Sequence, residues 1–92
     1  ERMLNIQRIG ATTRWSDVVV YNGVARWVEV AEQVTDDFAG EVTQVLSQMD
    51  HRLQSLGSDR THVLQVLILI SDLALVPELN SQWDVWFPLG HA

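Results

Sequence analysis

The stretch Val63-Leu64-Gln65-Val66-Leu67-Ile68-Leu69-Ile70, which runs into Ser71-Asp72, decides the fold. It is apolar at every position but Gln65. Strands of continuous apolar character belong to sheets that are covered on both faces. Upstream, Phe38, Val42, Val45, Leu46, Met49, Leu53 and Leu56 recur at steps of three and four, the signature of one buried helix face. Thr35-Asp36-Asp37 opens that helix, since Thr35 can cap and acids favour the positive end of the helix dipole. Gly40 weakens it by roughly 1 kcal/mol relative to alanine, and Leu56-Gly57 supplies a stop. A strand, this helix and the 63–70 strand make a right-handed βαβ crossover, with its two strands parallel.

Working outward, Met3 to Ile9 alternates as a strand, and Asp17 to Tyr21 and Val24 to Val30 are β-branched and aromatic runs. Asn22-Gly23 between them is a strong hairpin signal, because a type I′ turn needs positive φ at both central residues. A second helix is expected from about Leu73 or Val76 to Phe87. Val76, Leu79, Trp83, Trp86 and Phe87 form its apolar face, Pro77 sits in its first turn and Pro88 ends it. The predicted class is α+β, a mixed β-sheet with two helices packed on one face, in a single domain over residues 1–92. Two helices cover one face of such a sheet. The other face requires a second subunit or C-terminal strands beyond Ala92, and the expectation is a homo-oligomer packing sheet against sheet.

The chain has 92 residues, 47% of them hydrophobic, and four tryptophans, which is too apolar for disorder. It has no cysteine and no lysine: all six basic residues are arginines, against twelve acids, for a net charge of −6. Thiolate, Schiff-base and phosphate-loop lysine chemistry are thereby excluded within these residues. The acidic balance argues against nucleic acid as a partner. No apolar stretch reaches 18 residues, and no basic segment precedes an apolar one, so neither a membrane span nor a signal peptide is read and a cytoplasmic location is expected.

His51, His62 and His91 lack metal-ligand spacing, so no metal site and no cofactor are expected. Ser16-Asp17 and Ser71-Asp72 are adjacent pairs that point to opposite sides of an extended chain, which is no nucleophile–base arrangement. Asn80 falls in the apolar stripe of the second helix, and a buried amide there needs partners. Trp15 and Trp27 read first as core residues and second as ligand platforms. Glu29 interrupts Trp27-Val28 and Val30-Ala31, and reads first as the solvent-facing member of a strand.

Arg14-Trp15-Ser16-Asp17-Val18-Val19, the Asn22-Gly23 hairpin, Leu56-Gly57-Ser58-Asp59, Ile70-Ser71-Asp72-Leu73 and Leu79-Asn80-Ser81-Gln82-Trp83-Asp84-Val85-Trp86 occur in this order. The ordered set resembles the reactive intermediate deaminase family (RidA, YjgF-like, also known as endoribonuclease L-PSP-like). Gly90-His91-Ala92 resembles the residues just before that family's Pro-x-Arg motif. The resemblance implies a chorismate-mutase-like fold, a homotrimer and small-molecule clefts between subunits. It also implies hydrolysis of enamine or imine intermediates to 2-oxo acids and ammonia, with the Pro-x-Arg arginine holding the substrate carboxylate. By the same resemblance, Trp15, Val28, Glu29 and Asn80 correspond to substrate-binding positions. Trp15 stands where many members have tyrosine, and Val28-Glu29 replaces a small pair such as Ser-Gly.

Two departures shape the expectation. A carboxylate at Glu29 would repel an anionic imino acid by about 4 kcal/mol at 4 Å and an effective dielectric near 20. The Pro-x-Arg arginine lies beyond Ala92, so these 92 residues are expected to be an impaired deaminase. The alternative reading is a non-catalytic trimeric module that binds a small molecule or a partner. Ribonuclease activity fits poorly with the charge and with the lack of lysine.

Overall fold

The computed structural model describes residues 5–33 and 37–87. Three antiparallel strands, β1 (Ile6–Ile9), β2 (Val18–Tyr21) and β3 (Val24–Arg26), form a sheet in the order β1-β2-β3. Two helices follow, α1 (Phe38–Ser55) and α2 (Val76–Trp86). The architecture is α+β.

The β2–β3 hairpin turns at Asn22 and Gly23, whose φ angles are 52° and 79°. Both are left-handed, as a type I′ turn demands. Tyr21 pairs with Val24, Val20 with Ala25 and Val19 with Arg26. β1 adds on the other side, with Ile6 opposite Tyr21 and Ile9 opposite Val18. Val18 is fully buried.

Helix α1 begins at Asp37, whose carboxylate accepts from the Gly40 N–H at 2.8 Å. The expected cap, Thr35, lies outside the described residues, as does Asp36. The helix ends in a Schellman motif. Gly57, at φ 72°, donates to the Gln54 carbonyl, and Ser58 donates to the Leu53 carbonyl. Val42, Leu46, Met49 and Leu53 of α1 are buried against Trp86 and Phe87, with Phe38, Val45, Leu79 and Trp83 packed around them. Trp83 stacks on Phe87 with ring centroids 5.1 Å apart. The apolar periodicity of α1 therefore marked the face that is buried.

Arg60 ties this helical layer together. It lies in a 3₁₀ turn over Arg60–His62 and reaches both helices. Its Nε and Nη2 donate to the two oxygens of Asp50 at 2.8 and 2.6 Å, and its Nη1 donates to the Trp86 carbonyl at 2.8 Å. The guanidinium carbon stands 4.9 Å from the centre of the Trp86 ring, and the Trp86 indole N–H donates to Asp50 at 3.1 Å. A planar fork suits a carboxylate bidentately and an indole face at the same time.

One expected element has not formed. Residues 63–70 carry no strand pairing, so the sheet of the described residues is wholly antiparallel rather than mixed, and the parallel crossover is absent. The reason is competition for apolar surface. Val63 and Val66 pack onto the helical core. β3 stops at Arg26, and the backbone of Val30, Glu32 and Gln33 bonds to the Gln44 and Gln48 side chains of α1 rather than to a further strand. Leu64, Leu67 and Leu69 are 81%, 80% and 89% exposed. An exposed apolar row of this kind marks an interaction surface.

Two outcomes follow. Leu46→Ala should lower unfolding free energy by about 2–4 kcal/mol in denaturant titration, because it opens a cavity in the α1–α2 seam. The second outcome concerns pH. The Arg60 hydrogen bonds hold the Asp50 carboxyl below its ordinary pKa, against a smaller opposing effect of burial and with help from the Trp86 N–H. A carboxyl depressed in the native state adds stability that is complete above the unfolded-state pKa of about 3.9 and is lost as pH falls through the native value. Asp50→Asn should cost roughly 1 kcal/mol at pH 7, discounted for solvent exposure. It should also flatten the acid limb of a stability-versus-pH curve below about pH 4.

Candidate functional site

The site is built where the sheet hands over to α1. After Arg26 the chain leaves β3 and runs alongside the helix, held there by two glutamines one turn apart. Gln48 Nε2 donates to Glu29 Oε2 and to the Val30 carbonyl, both at 2.7 Å, and its Oε1 accepts from the Glu32 N–H at 2.9 Å. Gln44 accepts from the Gln33 N–H at 2.7 Å and donates to the Gln33 carbonyl at 3.1 Å. An amide presents a donor and an acceptor side by side, like a peptide group. Two amides at i and i+4 lie on one helix face and here act as a short substitute strand edge. The Trp27 indole N–H donates to Glu29 Oε1 at 3.0 Å, which pins the indole against the helical core.

On the other wall, the loop before β2 is folded by Thr12. Its Oγ1 accepts from the N–H groups of Arg14 and Trp15 at 3.3 and 3.1 Å, and its N–H donates to the Trp15 carbonyl at 2.6 Å. This hydroxyl-closed turn presents Trp15 outward, with 63% of the residue exposed. Gly10, at φ 64°, lies under the Asp17 carboxyl, where any Cβ would overlap that side chain.

Between these walls is an open cleft of about 470 Å³, lined by Trp15, Ser16, Asp17, Arg26, Trp27, Val28 and Arg52. Its size falls within the range of small-molecule sites. Trp15 and Trp27 supply flat apolar surface and Arg26 and Arg52 supply positive charge. A second, smaller hollow of about 380 Å³ beside Arg60 is lined by Asp50, Leu53, Gln54, Ser58, Asp59 and Thr61. Asp59 is committed there to capping: it accepts from the Thr61 N–H at 2.9 Å, and hydrogen bonds from Thr61 and then His62 hold its carboxyl below the usual range.

Of the four residues singled out in the sequence, Trp15 and Val28 meet in the large cleft. Glu29 does not line it. Both its oxygens are taken by Trp27 and Gln48, so it serves to hold the cleft wall. Asn80 is exposed on α2, away from the cleft. The buried stripe of α2 is centred on Leu79, Trp83 and Trp86. Asn80, one residue on from Leu79, is rotated from that line by about 100°. Arg26, Trp27 and Arg52 were not read as partners from sequence. No local spacing joins residues 26 positions apart, and only the packing of the β3 segment on α1 brings them together.

His51 Nδ1 lies 2.9 Å from the Ser47 carbonyl and His62 Nδ1 lies 3.1 Å from Asp59, while His91 is outside the described residues. No group of three potential metal ligands occurs among the described residues. No described helix is long and apolar enough to cross a membrane.

No protein-family model matches the chain. Individual relatives do. The chain is 34% identical over 89 residues to the RutC family protein YoaB of Escherichia coli, covering 97% of itself and 78% of that protein. It is 33% identical over 88 residues to a RutC family protein of Haemophilus ducreyi, covering 95% of itself and 75% of the relative. A solved YjgF-family protein from Neisseria meningitidis superposes with a TM-score of 0.88 at 32% identity, covering all of this chain and 76% of that one. A solved protein from Salmonella typhimurium, described as a putative translation initiation inhibitor, gives 0.85 at 38% identity, over 97% of this chain and 77% of that one. These superpositions fit the α+β arrangement to the chorismate-mutase-like fold. Identity above 30% across nearly all of these residues, together with a shared backbone, means that the chain belongs to the RutC/YjgF family, the group to which RidA-like proteins belong.

Proposed function

We propose that this protein is an imine and enamine hydrolase acting on small 2-imino acids in the Trp15 cleft. The observation that supports this reading most directly is the meeting of Trp15 and Val28. The family resemblance marks both positions as substrate-binding, they are 13 residues apart in sequence, and they line one cleft. The reaction adds water to the carbon of a C=N bond. Water supplies the oxygen of the new carbonyl and two protons to nitrogen, the C–N bond breaks, and a 2-oxo acid and ammonia leave. Such substrates are planar and conjugated, which suits an indole wall. They need no metal and no redox partner. The expected impairment rested on a missing carboxylate anchor and on repulsion by Glu29. Glu29 lies outside the cleft lining, with its carboxylate bound to Trp27 and Gln48.

A second reading has its own observation. Among the described residues no histidine, cysteine or lysine lines the cleft, so a binding module without catalysis is its natural competitor. In either case we propose a cytoplasmic homotrimer that buries the row of Leu64, Leu67 and Leu69, with the cleft beside a subunit boundary.

In a coupled assay that follows pyruvate, the protein should accelerate hydrolysis of 2-iminopropanoate generated in situ at least tenfold over buffer. Trp15→Ala should lower kcat/KM about tenfold with the fold intact by circular dichroism. A rate equal to that of buffer would reject the hydrolase reading, and retained ligand binding would then support the binding module. In light-scattering chromatography the chain should elute at three times its own mass, and Leu67→Asp with Leu69→Asp should shift it to one.

A further inference from the structure

We propose that Asn22 is a self-modifying site, where the Gly23 backbone nitrogen attacks the Asn22 side-chain amide and converts it to aspartate and isoaspartate. The inference does not depend on the activity proposed above.

Several observations converge on this turn. Asn22 and Gly23 are both exposed at the tip of the β2–β3 hairpin. Among the described residues the Asn22 side-chain amide makes no hydrogen bond, and the Gly23 N–H donates to no acceptor. The space around Gly23 is open, so that a Cβ built there would meet no atom within 4 Å. Asparagine is among the thermolabile side chains, and its attacker is the main-chain nitrogen of the next residue. A glycine in that place has no Cβ to crowd the approach or to restrict the backbone rotation that ring closure needs. The nitrogen and the carbon that must meet are therefore both unengaged and both accessible.

The other asparagines lack this combination. Asn5 is followed by Ile6, whose branched Cβ crowds the approach. Asn80 is followed by Ser81 within α2, where the regular helix holds the backbone in place.

The chemistry needs water and nothing else. A bond forms between the Gly23 nitrogen and Asn22 Cγ, the Cγ–Nδ2 bond breaks, and the Gly23 proton leaves with the amide nitrogen as ammonia. The product is a cyclic succinimide, which water opens at either carbonyl. Opening at Cγ gives aspartate. Opening at the main-chain carbonyl gives isoaspartate, whose main chain runs through Cβ and Cγ and is one carbon longer. The two products differ in consequence. Aspartate before glycine keeps the type I′ turn. Isoaspartate does not fit the two-residue turn that sets Tyr21 opposite Val24. β3 leads directly into Arg26, Trp27 and Val28 of the cleft lining, so the longer backbone loosens that wall of the cleft from its hairpin end.

The test is to age the chain at pH 8.5 and 37 °C and digest it with trypsin beside a fresh sample. Cleavage after arginine places Asn5, Asn22 and Asn80 in three separate peptides. The Trp15 to Arg26 peptide should exchange amide for acid at least tenfold faster than the other two, and it should become a substrate for isoaspartyl methylation. Gly23→Ala should slow the exchange at least tenfold; should that variant unfold, the three-peptide comparison decides. Asn22→Asp should unfold at the same temperature as the fresh chain, and the isoaspartate fraction of the aged chain about 5 °C lower. An unchanged Asn22 peptide, exchange no faster than at Asn5 and Asn80, or exchange only in urea would each overturn the site. An isoaspartate fraction that unfolds with the fresh chain would overturn its effect on the hairpin.

Discussion

The grip of Arg60 on Asp50 and Trp86 is the interaction on which the helical layer depends. One guanidinium satisfies both oxygens of a carboxylate on α1, caps the last carbonyl of α2 and covers the Trp86 ring. Each of these contacts alone is modest at a partly exposed site. Their convergence on one rigid plane fixes the position of α2 relative to α1, and with it the aromatic cluster of Trp83, Trp86 and Phe87 that closes the core. A lysine could not do the same, because a point charge cannot bridge a carboxylate, a carbonyl and a ring face together.

The sheet is joined to this layer by polar contacts as much as by apolar ones. Gln44 and Gln48 take up the backbone groups of residues 30–33, and Glu29 holds Trp27 in place. Backbone groups freed where β3 ends must find partners, and the helix face supplies them. The consequence for function is geometric. Val28 is left projecting from a segment fixed on both sides, Arg26 is brought to the last turn of α1, and a cleft opens where the hairpin sheet meets the helix. Glu29, which read in sequence first as the solvent-facing member of a strand, bonds to Trp27 and Gln48 and is part of the frame.

Much was legible in the sequence because it is encoded locally. The Asn22-Gly23 turn, the Leu56-Gly57 stop and the 3.6-residue periodicity of α1 are short-range features whose steric and hydrogen-bonding logic needs no tertiary context. The ordered motifs that resembled the RidA and YjgF-like family were of the same local kind, and the comparison with relatives upheld them. The site was less legible. Trp15 and Val28 were singled out by resemblance, and the arginines beside them were missed because their nearness depends on a contact between β3 and α1. Asn80 was placed in the buried stripe because a period of 3.6 tolerates a neighbouring position in a short helix, and packing chose Leu79 instead.

The amino-acid sequence by itself determined the hairpin, the two helices, the class and the exclusion of cysteine and lysine chemistry, since backbone propensity, apolar period and composition act over a few residues. The tertiary structure alone decided two matters. Residues 63–70, apolar on both faces, gave Val63 and Val66 to the helical core and left Leu64, Leu67 and Leu69 outward, because apolar surface goes to whichever partner is within reach. Arg26 and Arg52 came to share a cleft because two glutamine side chains, rather than a neighbouring strand, received the chain where β3 ends.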